Sequence, residues 1–269
     1  MEYGININYF TKGISLAKAA ELVAKAGFTQ LDYTPPVRED NWEAAMKEAA
    51  NIFEANGLTV HQTHAPFNRY GAYGDKHILC MDRCAEATEF FGAKYVAVHG
   101  DEFDFDRMTF SPEAALAYNH DYFLPYVERG AKNGYTYAFE TVFEDNPTRR
   151  RYTSKAEELR ALIDSFDGAA ACCWDFGHGH VTFGKKAVDH IREFGSLIQC
   201  THLHDNTGVD AHALPTLGDI DWNATMAAFK ATGYSGVLSV EYSHGVQPEH
   251  LVGPFLDLTY KTAEYLWSL

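Results

Sequence analysis

No stretch of this sequence is apolar for long enough to cross a bilayer, and no basic leader followed by an apolar run opens it. Met1-Glu-Tyr-Gly-Ile passes straight into what reads as a strand, so the expected location is the cytoplasm and no membrane partner is expected. Cysteine is scarce: Cys80, Cys84, Cys172, Cys173 and Cys200 are an odd set without paired spacing. That argues against a disulfide framework, and thiols set inside apolar strands are expected to be reduced core residues. Basic charge is also short. There are 22 Lys and Arg against 37 Asp and Glu, a net charge of −15. Affinity for nucleic acid comes largely from phosphate contacts by Lys and Arg, so the balance disfavours that partner and favours a small molecule. The one dense basic run is Arg149-Arg150-Arg151, which reads either as a solvated approach to a helix or as a grip for one phosphate. Linkers and low-complexity segments are missing, and no Gly-x-Gly-x-x-Gly turn follows the first strand.

What is present is alternation. A hydrophobic share of 46% is enough for a large core and excludes wholesale disorder. Strands are expected at 3–8, 30–34, 59–63, 95–100, 136–141, 169–175, 197–204 and 236–242. Helices are expected between them, at 15–25, 42–55, 75–91, from Ser111-Pro112 onward, after a Ser154-Lys-Ala-Glu157 capping box, at 187–194 and 222–231, and finally at 255–267. Eight strand–helix units in one chain of this length predict a closed (β/α)8 barrel, a single domain over residues 1–269, with an open doubly wound sheet as the structural alternative.

In such a barrel chemistry belongs at the C-terminal ends of the strands. His64 ends the third strand, His99 the fourth, Glu140 the fifth, Asp175 the sixth, His202 and His204 the seventh and Glu241 the eighth. Each has an ordinary reading alone, as a packed histidine or a cap partner; Asp205 in particular reads as a cap partner and His180 as a surface residue. Six consecutive strands delivering acids or imidazoles to one rim is costly without a cation. His202 and His204 share a face by period-2 alternation, and Asp210 and His212 follow in a connection that Gly208, Pro215 and Gly218 keep irregular. Phe176-Gly-His178-Gly-His180 reads as a glycine-rich turn that folds a histidine over the mouth. Glu140, Asp175, His202 and Glu241 form a mixed N/O set that suits Mn²⁺, Mg²⁺, Co²⁺ or Zn²⁺. His178, Asp210 and His212 could form a second set or hold substrate oxygens. Of the aromatics Tyr9, Phe10, Phe67, Trp174, Phe176 and Tyr242, one or two are expected to stack on a ring and the rest to be core.

These pieces resemble the xylose isomerase-like TIM-barrel superfamily, which includes sugar-phosphate isomerases and epimerases, inosose dehydratases and endonuclease IV. The matching stretches are Phe-Glu140-Thr, Trp-Asp175-Phe-Gly-His178, His202-Leu-His-Asp205, Asp210-x-His212, Leu-Gly218-x-Ile-Asp-Trp222 and Val-Glu241-Tyr, spread over essentially the whole chain. The resemblance implies a divalent metal on Glu140, Asp175, His202 and Glu241, with His202 preferred to His204 because the family pattern reads His-x-x-Asp. It further implies that Glu140 and Glu241 exchange protons with a sugar or polyol carbon beside a carbonyl, and that His178 holds a substrate oxygen. A homo-oligomer is common in the superfamily. Ketose epimerases carry an arginine after the strand-seven histidines; this chain has Val209-Asp210 there. That departure is similar to endonuclease IV, whose metal cluster matches His64, His99, His178, Asp210 and His212 and would hold more than one ion. A phosphodiesterase and a keto-polyol dehydratase are therefore the alternative activities.

Overall fold

The computed structural model describes residues 1–67, 74–104, 110–144, 149–242, 245 and 248–269; for residues 74, 75, 102–104 and 149 it describes the backbone alone. Eight strands form one sheet: β1 (Glu2–Asn6), β2 (Gln30–Tyr33), β3 (Thr59–His64), β4 (Tyr95–Val98), β5 (Thr136–Glu140), β6 (Ala170–Asp175), β7 (Ile198–His202) and β8 (Val237–Val240). Their order is β8-β1-β2-β3-β4-β5-β6-β7 and every ladder is parallel. A parallel bridge between Leu203 and Val240 brings the two ends together. Leu203 N donates to Ser239 O at 2.8 Å, and Glu241 N donates to Leu203 O at 3.0 Å. The ring is nearly closed, and the architecture is the expected TIM barrel.

The surrounding helices are α1 (Leu16–Ala26), α2 (Trp42–Ala55), α3 (Gly74–Phe91), α4 (Pro112–Asn133), α5 (Ala156–Asp164), α6 (Phe176–Phe183), α7 (Ala187–Phe194), α8 (Trp222–Ala231) and α9 (Glu249–Ser268). Several start where local chemistry says they should. The Ser15 hydroxyl accepts from Lys18 N, Ser111 from Ala114 N ahead of Pro112, and Asp221 from Ala224 N. None of the described helices is long and apolar enough to cross a membrane.

Strand parity sorts the interior. Val96, Val98, Tyr137, Phe139, Cys172 and Trp174 point outward into the core shared with the helices. Ala97, Ala138, Ala171, Cys173 and Cys200 alternate with them and form a separate buried cluster inside the barrel. Two residues further along that inward face stand Glu140 after Ala138, Asp175 after Cys173 and His202 after Cys200. Small residues fill the barrel below, and chemistry-bearing residues stand at the rim.

Four local expectations are corrected. Ser154 does not cap α5: it closes a short 3₁₀ turn, and its hydroxyl donates to Glu144 Oε1 at 2.7 Å, so a tertiary partner outcompetes the local box. Residues 176–183 are a helix and not a turn, because Asp175 caps it by accepting from His178 N at 2.7 Å. The last helix begins at Glu249, six residues before the expected start; it carries Pro254 internally and is anchored by buried Val252 and Leu256. The basic run is not a solvated approach at Arg150, which is buried. Backbones 102–104 and 149–151 form a short antiparallel pair. Arg150 is buried against Glu158 at 2.5 Å and Glu144 at 3.1 Å, and Arg151 donates to Phe143 O at 3.2 Å. The Arg149 side chain lies outside the described atoms.

Candidate metal centre

Glu140, Asp175, His202 and Glu241 converge at the mouth. One ligand atom from each lies within 4.8 Å of all the others, and all four residues are buried. His202 stands in the middle of the acids. Its Nδ1 is 3.2 Å from Glu140 Oε1, 3.4 Å from Glu241 Oε2 and 3.9 Å from Asp175 Oδ2. Its Nε2 faces a fourth carboxylate, Asp32 Oδ2, at 2.9 Å.

Glu140 is the hub. Its Oε2 receives His64 Nε2 at 3.2 Å and His99 Nε2 at 3.0 Å, and its Oε1 lies 3.1 Å from His178 Nδ1. With His202, four imidazoles surround one carboxylate. Burial alone would raise the carboxyl of Glu140, but His202, His99 and His178 outweigh it and hold it well below the usual range. His64 and His99 share a single carboxylate oxygen. Burial works against the charged form of both; Glu140 prevails at His64, which is raised, whereas burial prevails at His99, which falls to about 4.

A second group adjoins the first. His178, His204, Asp210 and His212 also place ligand atoms within 4.8 Å. Asp210 Oδ1 is 3.4 Å from His212 Nε2 and 3.9 Å from His178 Nε2. His204 Nε2 is 2.9 Å from Asp175 Oδ1, and its ring stacks on His212 with centroids 4.0 Å apart. The strand-seven histidines therefore divide, His202 to the acid-rich group and His204 to the histidine-rich one. His64, His99 and Glu140 make a third group.

The loop carrying Asp210 and His212 is held by Asp205, which caps no described helix, since Asp221 caps α8. Asp205 is fully buried and accepts from Asn206 N, Thr216 N, Ile220 N and Trp222 Nε1 at 2.8, 2.9, 3.3 and 2.8 Å. His212 and Thr216 sit in the left-handed region, at φ +42° and +81°, a strain that this anchored loop sustains. Gly177 is required by close approach: a Cβ there would run into the His204 ring. His180 is half-buried, with Nδ1 2.8 Å from Asn206 Oδ1.

The donor chemistry fits divalent cations. Three carboxylates and an imidazole are crowded out of water, and His202 has carboxylates at both ring nitrogens. Without a cation it must hold both protons, and it is indeed raised well above the ordinary histidine value: burial opposes this, but Glu241, Glu140 and Asp32 overcome it. A hard or borderline M²⁺ beside Nδ1 could take the place of one proton.

A cavity of about 480 Å³ opens beside this centre. Its lining includes Glu241, His64, Tyr9, Phe67, Lys12 and Arg38. Of the aromatics considered from sequence, Phe10, Trp174 and Phe176 are core, while Tyr9 and Phe67 face the cavity. Sequence reasoning passed over Asp32, Gln62 and Asn6, whose side chains meet beneath His202 and Glu241. The signal was parity. Leu31 and Tyr33 join the outer core, which leaves Asp32 pointing into the barrel, where a lone carboxylate is costly.

A nearly closed eight-stranded barrel with acids and histidines at its C-terminal rim defines a class. The chain belongs to the xylose isomerase-like TIM barrel family, whose sequence profile matches residues 20–259. Solved structures agree in fold. A D-psicose 3-epimerase studied with D-fructose superposes with TM-score 0.78 at 12% identity, covering 100% of both chains. A D-tagatose 3-epimerase-like protein gives 0.78 at 18% identity over 99% of this chain and 98% of its own. A 3-keto-D-glucoside 4-epimerase from E. coli gives 0.72 at 16% identity over 94% of each. At such identities the likeness carries the fold alone. In sequence, the uncharacterized protein y4fM of Sinorhizobium fredii is 39% identical over 71 residues, 26% of this chain; the match spans 22% of that relative's length.

Proposed function

We propose that this chain is a divalent-metal-dependent enzyme that moves a proton next to a carbonyl of a small sugar or polyol, isomerising or epimerising it. The observation that carries the reading is the buried convergence of Glu140, Asp175, His202 and Glu241 beside a cavity whose wall includes Glu241. The epimerase activities named for the similar structures support it. A cation held by these four residues would supply Lewis-acid polarisation of the substrate carbonyl and its neighbouring hydroxyl. The protein does the rest. Glu241 faces the cavity and is placed to take a proton from the carbon beside the carbonyl. Glu140, across His202 from it, is the second proton carrier, and its four imidazoles keep it ionised between turnovers. His64 and His178 orient substrate oxygens, and Tyr9 and Phe67 present faces to a sugar ring. On a keto-polyol with a leaving hydroxyl, the same proton removal would give dehydration.

A second reading rests on the same page. The groups His64–His99–Glu140 and His178–His204–Asp210–His212 abut the first, and Glu140 belongs to both the first and the His64–His99 group. Residues that would hold two or three ions in adjoining groups would supply the Lewis acidity that hydrolysis of a phosphate ester or diester needs. The test is a screen of ketoses, their phosphates and an abasic-site DNA, run with the wild type, Glu140→Gln and Glu241→Gln. Interconversion of a ketose that both variants abolish while still folding supports the first reading. Wild-type activity retained by either variant refutes the two-glutamate mechanism, and phosphodiester cleavage with more than one ion per chain replaces it with the second.

A further inference from the structure

We propose that Asp32 is a positioning residue for the metal centre: it accepts the Nε2–H of His202, fixes the tautomer of that imidazole and aims Nδ1 at Glu140, Asp175 and Glu241. The inference rests on the metal-dependent reading above.

Asp32 comes from β2 and His202 from β7, three strands apart around the barrel, yet the two meet at 2.9 Å and both are fully buried. Gln62 Nε2 from β3 donates to the same Asp32 Oδ2 at 3.2 Å, and Asn6 Nδ2 from β1 approaches it at 3.5 Å. Asn6 Nδ2 also lies 3.4 Å from Glu241 Oε1. A single polar layer beneath the rim thus links ligands from β7 and β8 to side chains of β1, β2 and β3.

The pattern of satisfied atoms separates this role from ordinary structural cross-linking. Asp32 Oδ1 finds no hydrogen-bond partner among the described residues, so only one oxygen of a buried carboxylate is used. Burying a charge in that state is costly, and apolar residues usually fill such positions more stably. Its closest contact is the nitrogen of His202 that points away from the acid group; Gln62 Nε2 lies 2.9 Å from that same nitrogen, but as an amide N–H donor it cannot accept from it, which leaves Asp32 Oδ2 as the acceptor. A ligating histidine whose other nitrogen donates to a carboxylate has a fixed ring orientation and a more basic donor atom. Without Asp32, Nε2 loses its acceptor, and a flipped ring can present the wrong nitrogen.

The test measures the affinity of the whole chain for Mn²⁺ and Zn²⁺ by chelator competition, in wild type and Asp32→Asn, alongside the thermal midpoint of the chelator-treated proteins. Asparagine is close in size but weakens the acceptor. Metal binding should fall by about 10–100-fold, while the metal-free variant still folds with a modestly lower midpoint, because the doubly protonated His202 then faces one carboxylate fewer. Binding within threefold of wild type, or weaker binding matched by collapse of the metal-free midpoint, overturns the proposal. A second measurement needs no variant: ring ¹⁵N shifts of His202 in Zn²⁺-loaded wild type should show Nε2 protonated and Nδ1 ligating. The reverse assignment overturns it. Wild type that binds neither ion overturns the metal reading and this inference together, whereas wild-type binding with Asp32→Asn unchanged overturns this inference alone.

Discussion

Replacing Asp205 by alanine removes a carboxylate that four donors share in a fully buried position. Each hydrogen bond to a charged acceptor is worth about 1.5–3 kcal/mol, and an abandoned buried donor costs about 1–3 kcal/mol. The four do not add, because the 206–222 loop relaxes and water reaches some of the freed N–H groups. The indole of Trp222 is buried and stays in place, so its Nε1–H is stranded in full. The expected loss is about 4 kcal/mol, a fall in midpoint of roughly 8–16 °C for a chain of this size. Asparagine keeps one acceptor oxygen but turns an amide towards N–H groups, so about half that loss is expected. Urea unfolding of metal-free protein at fixed pH measures both. A second consequence separates anchoring from general stability. Asp210 and His212 ride on this loop, so Asp205→Asn should weaken metal binding at the histidine-rich group while sparing Glu140, Asp175, His202 and Glu241. A loss below about 1 kcal/mol for the alanine variant would refute the claim that this carboxylate organises the loop.

Metal-free protein should lose stability as pH rises. Burial lowers His178, but Asp175, Glu140 and Asp210 overcome it and raise it to about 9; burial likewise opposes His212, but Asp210, Glu241 and Asp175 raise it to about 10. Both exceed the ordinary histidine value of 6.5, so their contribution is complete below that pH and disappears through about 9–10. Unfolding midpoints of chelated protein should decline over this window, and metal affinity should climb over it as protons cease to compete; a flat profile would contradict both. Gly177→Ala should displace the His204 ring and destabilise the fold by about 1–3 kcal/mol; a wild-type melting curve would show that the ring does not need this glycine. His212→Ala should remove any second ion yet leave the first, read as a drop in metal stoichiometry to one; retention of all bound ions would break the division into two groups.

The barrel was legible because alternation of apolar strands with capped helices leaves few other topologies, and strand-end placement then singled out the rim. What escaped depended on contacts distant in sequence. Ser154 offers a local cap, but Glu144 takes its hydroxyl. Gly177 and Gly179 argue for a turn, but Asp175 caps a helix there and the His204 ring fills the space that a Cβ at 177 would need. Asp32 lies mid-strand in a stretch without a motif, and only its inward parity marks it. His202 and His204 share a face, as period-2 alternation requires, and what separates them is the partners that other strands supply.

The most direct test of the account is metal bound per chain after equilibration with Mn²⁺ or Zn²⁺ and desalting, in wild type and Glu140→Gln side by side. At least one ion per wild-type chain, lost when the hub carboxylate becomes an amide, is the predicted result. Wild-type protein that retains no ion, or a variant that keeps all of them, would contradict a metal centre built on Glu140, Asp175, His202 and Glu241.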